Sequence, residues 1–305
     1  MENNEIKPNS EEIKKEEPKK TDKIKKKKTI LIICSALAAI LACVCLVLAL
    51  NINDNKSDDD SGAVEPTPVT PVIPDYEEDF GIDIDKYVAM FDEDKAINSD
   101  VQAILVTPSG LLEDQVVVQS SLDYANSTEY LRKDWRTGEY LSGGTDFIDG
   151  RNTRSDNGTY EDQNTIIYGH YVYHEKDPEQ VTYFTPLHQL KDQANYEANK
   201  YFIMVYENEI VRYEVATLFY AELKETSSGS YSVDKGTTIP YYYVSYSDEL
   251  FDSFISQAKE DEFYDTGVEI TSEDKLLTLN TCVEYHDELR LIVVCKEVDK
   301  IEISR

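Results

Sequence analysis

Leu276-Leu277-Thr278-Leu279-Asn280-Thr281-Cys282 is an apolar strand that ends in a cysteine just where a polar loop, Glu284 to Glu288, begins. Across that loop Arg290 opens a second apolar strand, Leu291-Ile292-Val293-Val294-Cys295. Paired as a hairpin, the two strands bring Cys282 and Arg290 face to face at one end. A guanidinium there favours thiolate over thiol and offers two donors to an oxyanion as an acyl carbon becomes tetrahedral. The spacing alone fits equally well a small buried cysteine beside a surface arginine.

Thiol chemistry of this kind also needs a group to move a proton onto a leaving amine, and histidine has the suitable pKa. His170 follows the apolar strand Asn164-Thr165-Ile166-Ile167-Tyr168-Gly169, whose glycine lets another backbone or a substrate approach closely. His174, His188 and His286 lie among polar residues and read as solvated loop positions. Four histidines, with Cys282 and Cys295 as the cysteines outside an apolar run, show neither CxxC nor HExxH spacing, so no metal or other cofactor is expected. Two cysteines do not make a disulfide scaffold.

The flanking sequence is mainly strand-like. Val101 to Val106, Gln115 to Gln119, Thr165 to Tyr173, Tyr201 to Tyr206, Ile210 to Glu222, Leu276 to Cys282 and Leu289 to Val298 are β-branched or aromatic and bounded by turn formers. Ile84 to Phe91 reads as a helix, and so does Ser247 to Lys259, where Leu250, Phe251, Phe254, Ile255 and Ala258 recur at helical spacing behind a serine cap. Many strands with few helices predict a closed barrel.

Thr278-Leu279-Asn280-Thr281-Cys282 resembles the TLxTC motif of sortases, Tyr168-Gly169-His170 resembles their strand-borne histidine, and Arg290 stands where their arginine follows the cysteine. The likeness covers about residues 80 to 300. It points to class B through Ile97-Asn98-Ser99-Asp100-Val101, Tyr130-Leu131, Phe147-Ile148-Asp149-Gly150-Arg151-Asn152 and the helix from Ser247, which that class inserts between its sixth and seventh strands.

The resemblance implies a mainly β, closed eight-stranded barrel with N-terminal helix or helices and an inserted helix at about 247–259. It also implies a cysteine transpeptidase with Cys282 as nucleophile, His170 as proton-transfer partner and Arg290 as oxyanion stabiliser, with Thr281 and Asn280 beside the substrate. Secreted proteins bearing a C-terminal sorting signal would be cleaved, and a peptidoglycan precursor or a pilin lysine would supply the accepting amine. Two departures, Asn280 in place of the more usual serine and a short Cys-to-Arg loop, bear on signal choice without removing a catalytic group.

Upstream, residues 1–28 hold ten Lys and seven acids and are too poor in apolar side chains to fold, so a disordered cytoplasmic tail is expected. Ile30 to Leu50 is 21 residues without a charge. As a helix it would extend about 31 Å, the thickness of a bilayer core, so 29–50 reads as a single transmembrane span. Lysines before it and Asp54, Asp58, Asp59 and Asp60 after it put the N-terminus inside and the rest of the chain outside. A cleaved signal peptide, or a lipoprotein signal ending at Cys43, fits less well; apolar residues continue past Cys43 to Leu50, where a mature lipoprotein would turn polar. The acidic and proline-rich residues 51–79 read as an extracytoplasmic spacer, leaving 80–305 as the catalytic domain.

The formal net charge of −30, with 20 basic and 53 acidic residues after residue 28, excludes a nucleic-acid partner. The competing function is a membrane-tethered binding or adhesion ectodomain that keeps the barrel without activity. A papain-like hydrolase fails on order, because there the cysteine precedes the histidine.

Overall fold

The computed structural model describes residues 80–303, apart from 113, 123–126, 173–182 and 234–235. The tail, membrane span and spacer read over 1–79, and His174, lie outside the described residues. Among the described residues no helix is long and apolar enough to cross a membrane.

Eight strands close into a barrel: β1 (Val101–Val106), β2 (Gln115–Val118), β3 (Asp146–Ile148), β4 (Asn164–Tyr168), β5 (Tyr201–Val205), β6 (Glu209–Glu222), β7 (Leu276–Val283) and β8 (His286–Glu302). Their order around the barrel is β1-β2-β3-β4-β7-β8-β6-β5. β2 runs parallel to β3 and β4 parallel to β7, while the other neighbours are antiparallel. The helices are α1 (Ile84–Ile97), the single turn α2 (Tyr196–Asn199) and α3 (Asp248–Asp261), which stands between β6 and β7 as expected.

The strands that carry the site are buried on both faces, which is why they read as continuous apolar runs rather than alternating ones. Leu277, Leu279, Leu291, Val293 and Cys295 point into the barrel's interior cluster. Leu276, Ile292 and Val294 point outward and pack with Phe251, Phe254 and Ala258 of α3. The Ser247 hydroxyl caps α3 by accepting from Leu250 N–H at 3.4 Å. Phe254 then stacks on Tyr246 with centroids 5.3 Å apart and planes 7° from parallel. Covering this outer face with two phenylalanines contributes roughly 1.5–3 kcal/mol each, and it fixes the sheet directly below the residues of interest.

Several elements differ from those the sequence predicts. Helix α1 continues past Phe91 to Ile97 although its apolar spacing lapses, because Asp94, 3% exposed, is held by Arg136 at 3.0 Å. Strand β3 was not foreseen: it has three residues and begins with an aspartate. β4 stops at Tyr168 rather than Tyr173, and Tyr171 instead bridges antiparallel to Tyr183. Finally, the loop expected over Glu284 to Glu288 is a tight turn: Val283 pairs with His286, and Tyr285 takes a left-handed φ of 62°. Its polar side chains mark the exposed start of β8.

Candidate active site

The register of three neighbouring strands brings the expected residues together. On one side of β7, Cys282 pairs with Arg290 of β8. On the other, Tyr168 pairs in parallel with Asn280, and Gly169 N–H still donates to Asn280 O at 3.0 Å one residue beyond the end of β4. His170 follows as the next residue, at the end of the sheet where β7 carries Cys282. Since Leu277 and Leu279 face the interior, Thr278, Asn280 and Cys282 share the outer face. Cys282 and Arg290 thus sit opposite each other on adjacent strands about 5 Å apart, with His170 just past the end of the neighbouring β4. All three line one cavity of about 370 Å³, whose floor includes Asn280 and Thr281.

His170 is set by what lies beneath and beside it. A Cβ on Gly169 would lie 2.5 Å from the Phe184 ring and 2.6 Å from Asp146 Oδ1. The glycine foreseen as a place of close approach is therefore approached from inside the barrel by Phe184 and Asp146. Beside the ring, Nε2 lies 2.9 Å from Leu131 O and 3.2 Å from Arg132 Nη1. One ring nitrogen cannot donate to the first and accept from the second. The shorter contact favours Nε2–H donating to Leu131 O and leaves Nδ1 with its lone pair. Burial pushes the His170 pKa below its ordinary value, with the Arg132 and Arg290 charges adding to this and the Leu131 carbonyl opposing it.

Leu131 is delivered by the 3₁₀ turn Glu129–Arg132. Tyr130 anchors that turn, its hydroxyl donating to Asp100 Oδ2 at 2.8 Å and accepting from Asn98 Nδ2 at 2.9 Å. Two stretches singled out in the sequence, 97–101 and 130–131, are thereby one device. A third, 147–152, steadies β4: Asp149 takes two bonds from the Arg151 guanidinium, at 2.8 and 2.7 Å, and one from Tyr168 Oη at 2.9 Å. These donors hold the Asp149 carboxyl below the usual carboxylate range despite its burial. Asn152 meanwhile ties both Asn164 O and Ile166 N into place.

Arg290 Nη1 donates to Asp287 O at 3.1 Å and Leu289 O at 2.7 Å, so one nitrogen holds the turn. Cys282 is a free thiol, partly exposed, whereas Cys295 is fully buried and its thiol is pushed far up by that burial. Asn280 is 3% exposed, and its Nδ2 donates to Tyr241 Oη at 3.0 Å, so the residue that departs from the usual serine is bonded to the buried Tyr241. Thr281, 1% exposed, alternates with Cys282 and faces the interior.

Three contributors escaped the sequence reading. Tyr231, Ser232 and Val233, from the stretch between β6 and α3, form one wall of the cavity, and no local pattern announces a loop that folds back. Asp146, 2% exposed, has no hydrogen-bond partner among the described residues for either carboxyl oxygen, and burial holds its pKa well above the ordinary value. His188 is a correction: it is not a solvated loop residue. It sits on the 3₁₀ segment Thr185–Lys191, between buried Leu187 and Leu190, with Nε2 at 3.0 Å from Cys282 O. The Leu187–Leu190 spacing was the available signal. His286, by contrast, is exposed and pairs with Glu288 at 2.9 Å.

No known family profile and no curated protein sequence matches the chain. Among solved structures, the Staphylococcus aureus sortase B–substrate complex aligns over 75% of this chain and 94% of its own, with a TM-score of 0.55 and 22% identity. Clostridium perfringens sortase B aligns over 68% of this chain and 99% of its own, with a TM-score of 0.53 and 23% identity. A further S. aureus sortase B structure gives 75%, 96%, 0.54 and 23% in the same order. The chain has the sortase B fold.

Proposed function

We propose that this chain is a membrane-anchored cysteine transpeptidase that cleaves a C-terminal sorting signal and passes the acyl group to an amine. The observation that carries the reading is that Cys282 and Arg290, paired across β7 and β8, and His170, just past the end of β4, line a single cavity. Cys282 Sγ attacks the scissile carbonyl carbon while its proton passes to the neutral His170 imidazole, at the Nδ1 lone pair that the Leu131 contact leaves available. The tetrahedral oxyanion takes hydrogen bonds from Arg290 Nε and Nη2, Nη1 being engaged with the turn. As the C–N bond breaks, His170 returns the proton to the departing amine and a thioester remains on Cys282. The acceptor amine then loses a proton to His170, forms the new amide and releases Cys282, which recovers that proton.

The acceptor is a peptidoglycan-precursor amine or a pilin lysine. The structures with this fold include a S. aureus sortase B–substrate complex and a sortase B bound to triglycine, and these motivate a peptide-plus-amine pair here. The apolar residues 30–50, with lysines before and acids after, would hold the domain outside the membrane, where signals tethered by their own tails arrive. The test is to incubate the full-length chain with a quenched-fluorescent peptide carrying the C-terminal signal of a surface protein from the same genome, with and without triglycine. Cleavage that becomes peptide–triglycine ligation is expected. Absence of both across all such signals, with the protein folded, would refute the activity. Protease shaving of intact cells should remove the domain, and a protected domain would refute the topology.

A further inference from the structure

The parallel ladder between β4 and β7, continued past Tyr168 and Asn280, would bring Tyr171 N–H onto the carbonyl of Cys282. The chain departs from that course: β4 ends at Tyr168, Tyr171 bridges antiparallel to Tyr183, and β7 itself shifts register between Cys282 and Val283. At this break the Cys282 carbonyl is met by a side chain, His188 Nε2 at 3.0 Å. The edge of the His188 ring is in turn fixed by Tyr171, with centroids 4.8 Å apart and planes at 64°. The Tyr171 hydroxyl reaches across to donate to Glu284 Oε2 at 3.1 Å, closing a clamp over the two residues that follow Cys282.

Resting on the reading of Cys282 as nucleophile, we propose that His188 is a positioning residue that replaces the missing strand donor, holding the Cys282 carbonyl so that Sγ stays opposite Arg290. Leu187 and Leu190, both fully buried in the barrel's interior cluster, fix the segment on either side, so the imidazole is presented from a rigid base. Burial pushes His188 down to about 4, against the opposing pull of the Cys282 carbonyl, so at neutral pH the ring is uncharged. With a carbonyl as its partner, Nε2 carries the proton. The bond therefore constrains the nucleophile's backbone without placing a second charge beside the thiol.

The readout is the second-order rate of Cys282 alkylation by iodoacetamide, followed by peptide-resolved mass spectrometry on the full-length chain. His188→Met keeps the volume and removes the donor; His188→Gln keeps a donor at the same reach. The Met variant should react about tenfold more slowly, as expected for loss of one hydrogen bond to a partly buried carbonyl. The Gln variant should stay within about twofold of wild type, with its melting temperature unchanged. A Met variant as fast as wild type, or a Gln variant as slow as Met, would overturn the proposal. Should the Met variant not fold, ¹⁵N spectra of the wild type decide: a proton on His188 Nε2 supports the proposal, and one on Nδ1 alone overturns it. Failure of the nucleophile assignment reads differently, because wild-type Cys282 would then react no faster than a cysteine of the unfolded chain.

Discussion

Replacing Arg290 with lysine keeps the charge and discards the planar fork. One nitrogen of that fork, Nη1, is already spent on the carbonyls of Asp287 and Leu289, at 3.1 and 2.7 Å. On the proposed mechanism Nε and Nη2 serve the oxyanion. A lysine has one nitrogen at the end of a flexible stem, so it must serve either the turn or the oxyanion. Losing the oxyanion donors raises the barrier by about 3–4 kcal/mol, a fall in rate of roughly a hundredfold to a thousandfold. The cost to folding is small, because the turn is solvent-facing and the bonds given up there contribute about 1 kcal/mol at most. The assay is peptide cleavage under single-turnover conditions beside a chemical denaturation curve. A large loss of rate with a nearly unchanged curve is expected. Arg290→Lys cleaving within twofold of wild type would show that the guanidinium serves the turn alone, and the mechanism would lose its oxyanion stabiliser.

Gly169→Ala should destabilise the domain by about 1–3 kcal/mol in urea titration, because its Cβ meets Phe184 at 2.5 Å and Asp146 at 2.6 Å; an unchanged midpoint would contradict that packing. Asp146 has a raised folded pKa, so the native state keeps a proton that the unfolded chain has released. Its unfavourable contribution therefore grows as pH rises from about 4 toward that folded value and remains above it. Asp146→Asn does not titrate and should gain stability relative to wild type between pH 4 and 8, by on the order of 1–3 kcal/mol; a constant difference across that range would refute the assignment. Asn280→Ser, toward the more usual motif, should lose the bond to Tyr241 Oη and about 1 kcal/mol of stability, and equal stability by thermal melting would show that bond to be idle.

What was legible and what was not follow from where the stabilising contacts lie along the chain. β7 and β8 are long, apolar on both faces and joined by a two-residue turn, so local composition carries their pairing, and with it the meeting of Cys282 and Arg290. Helix α3 announced itself through Phe251, Phe254 and Ala258 at helical spacing behind Ser247. β3 did not, because three residues beginning with Asp146 have no periodicity to read; they are strand because β2 and β4 flank them. The far reach of α1 was hidden for a similar reason, depending on an Asp94–Arg136 contact across 42 positions. That His170 lies just past a strand end could be read from the apolar run and the glycine that precede it. His188 was misread because its segment pairs with nothing local: it matters through a carbonyl 94 residues away. The wall formed by Tyr231 to Val233 was missed on the same ground.

The central claim is that Cys282 forms a thioester with the cleaved signal. Acid-quenched reactions of the full-length chain with a signal peptide, resolved by tryptic mass spectrometry, test it directly. An acyl adduct that triglycine discharges is expected on the peptide containing Cys282, with Cys295 unmodified because its thiol is buried and pushed far up. Cys282→Ala should remain folded and give neither adduct nor cleavage. An adduct carried by another side chain, or signal cleavage that persists in Cys282→Ala, would contradict the account.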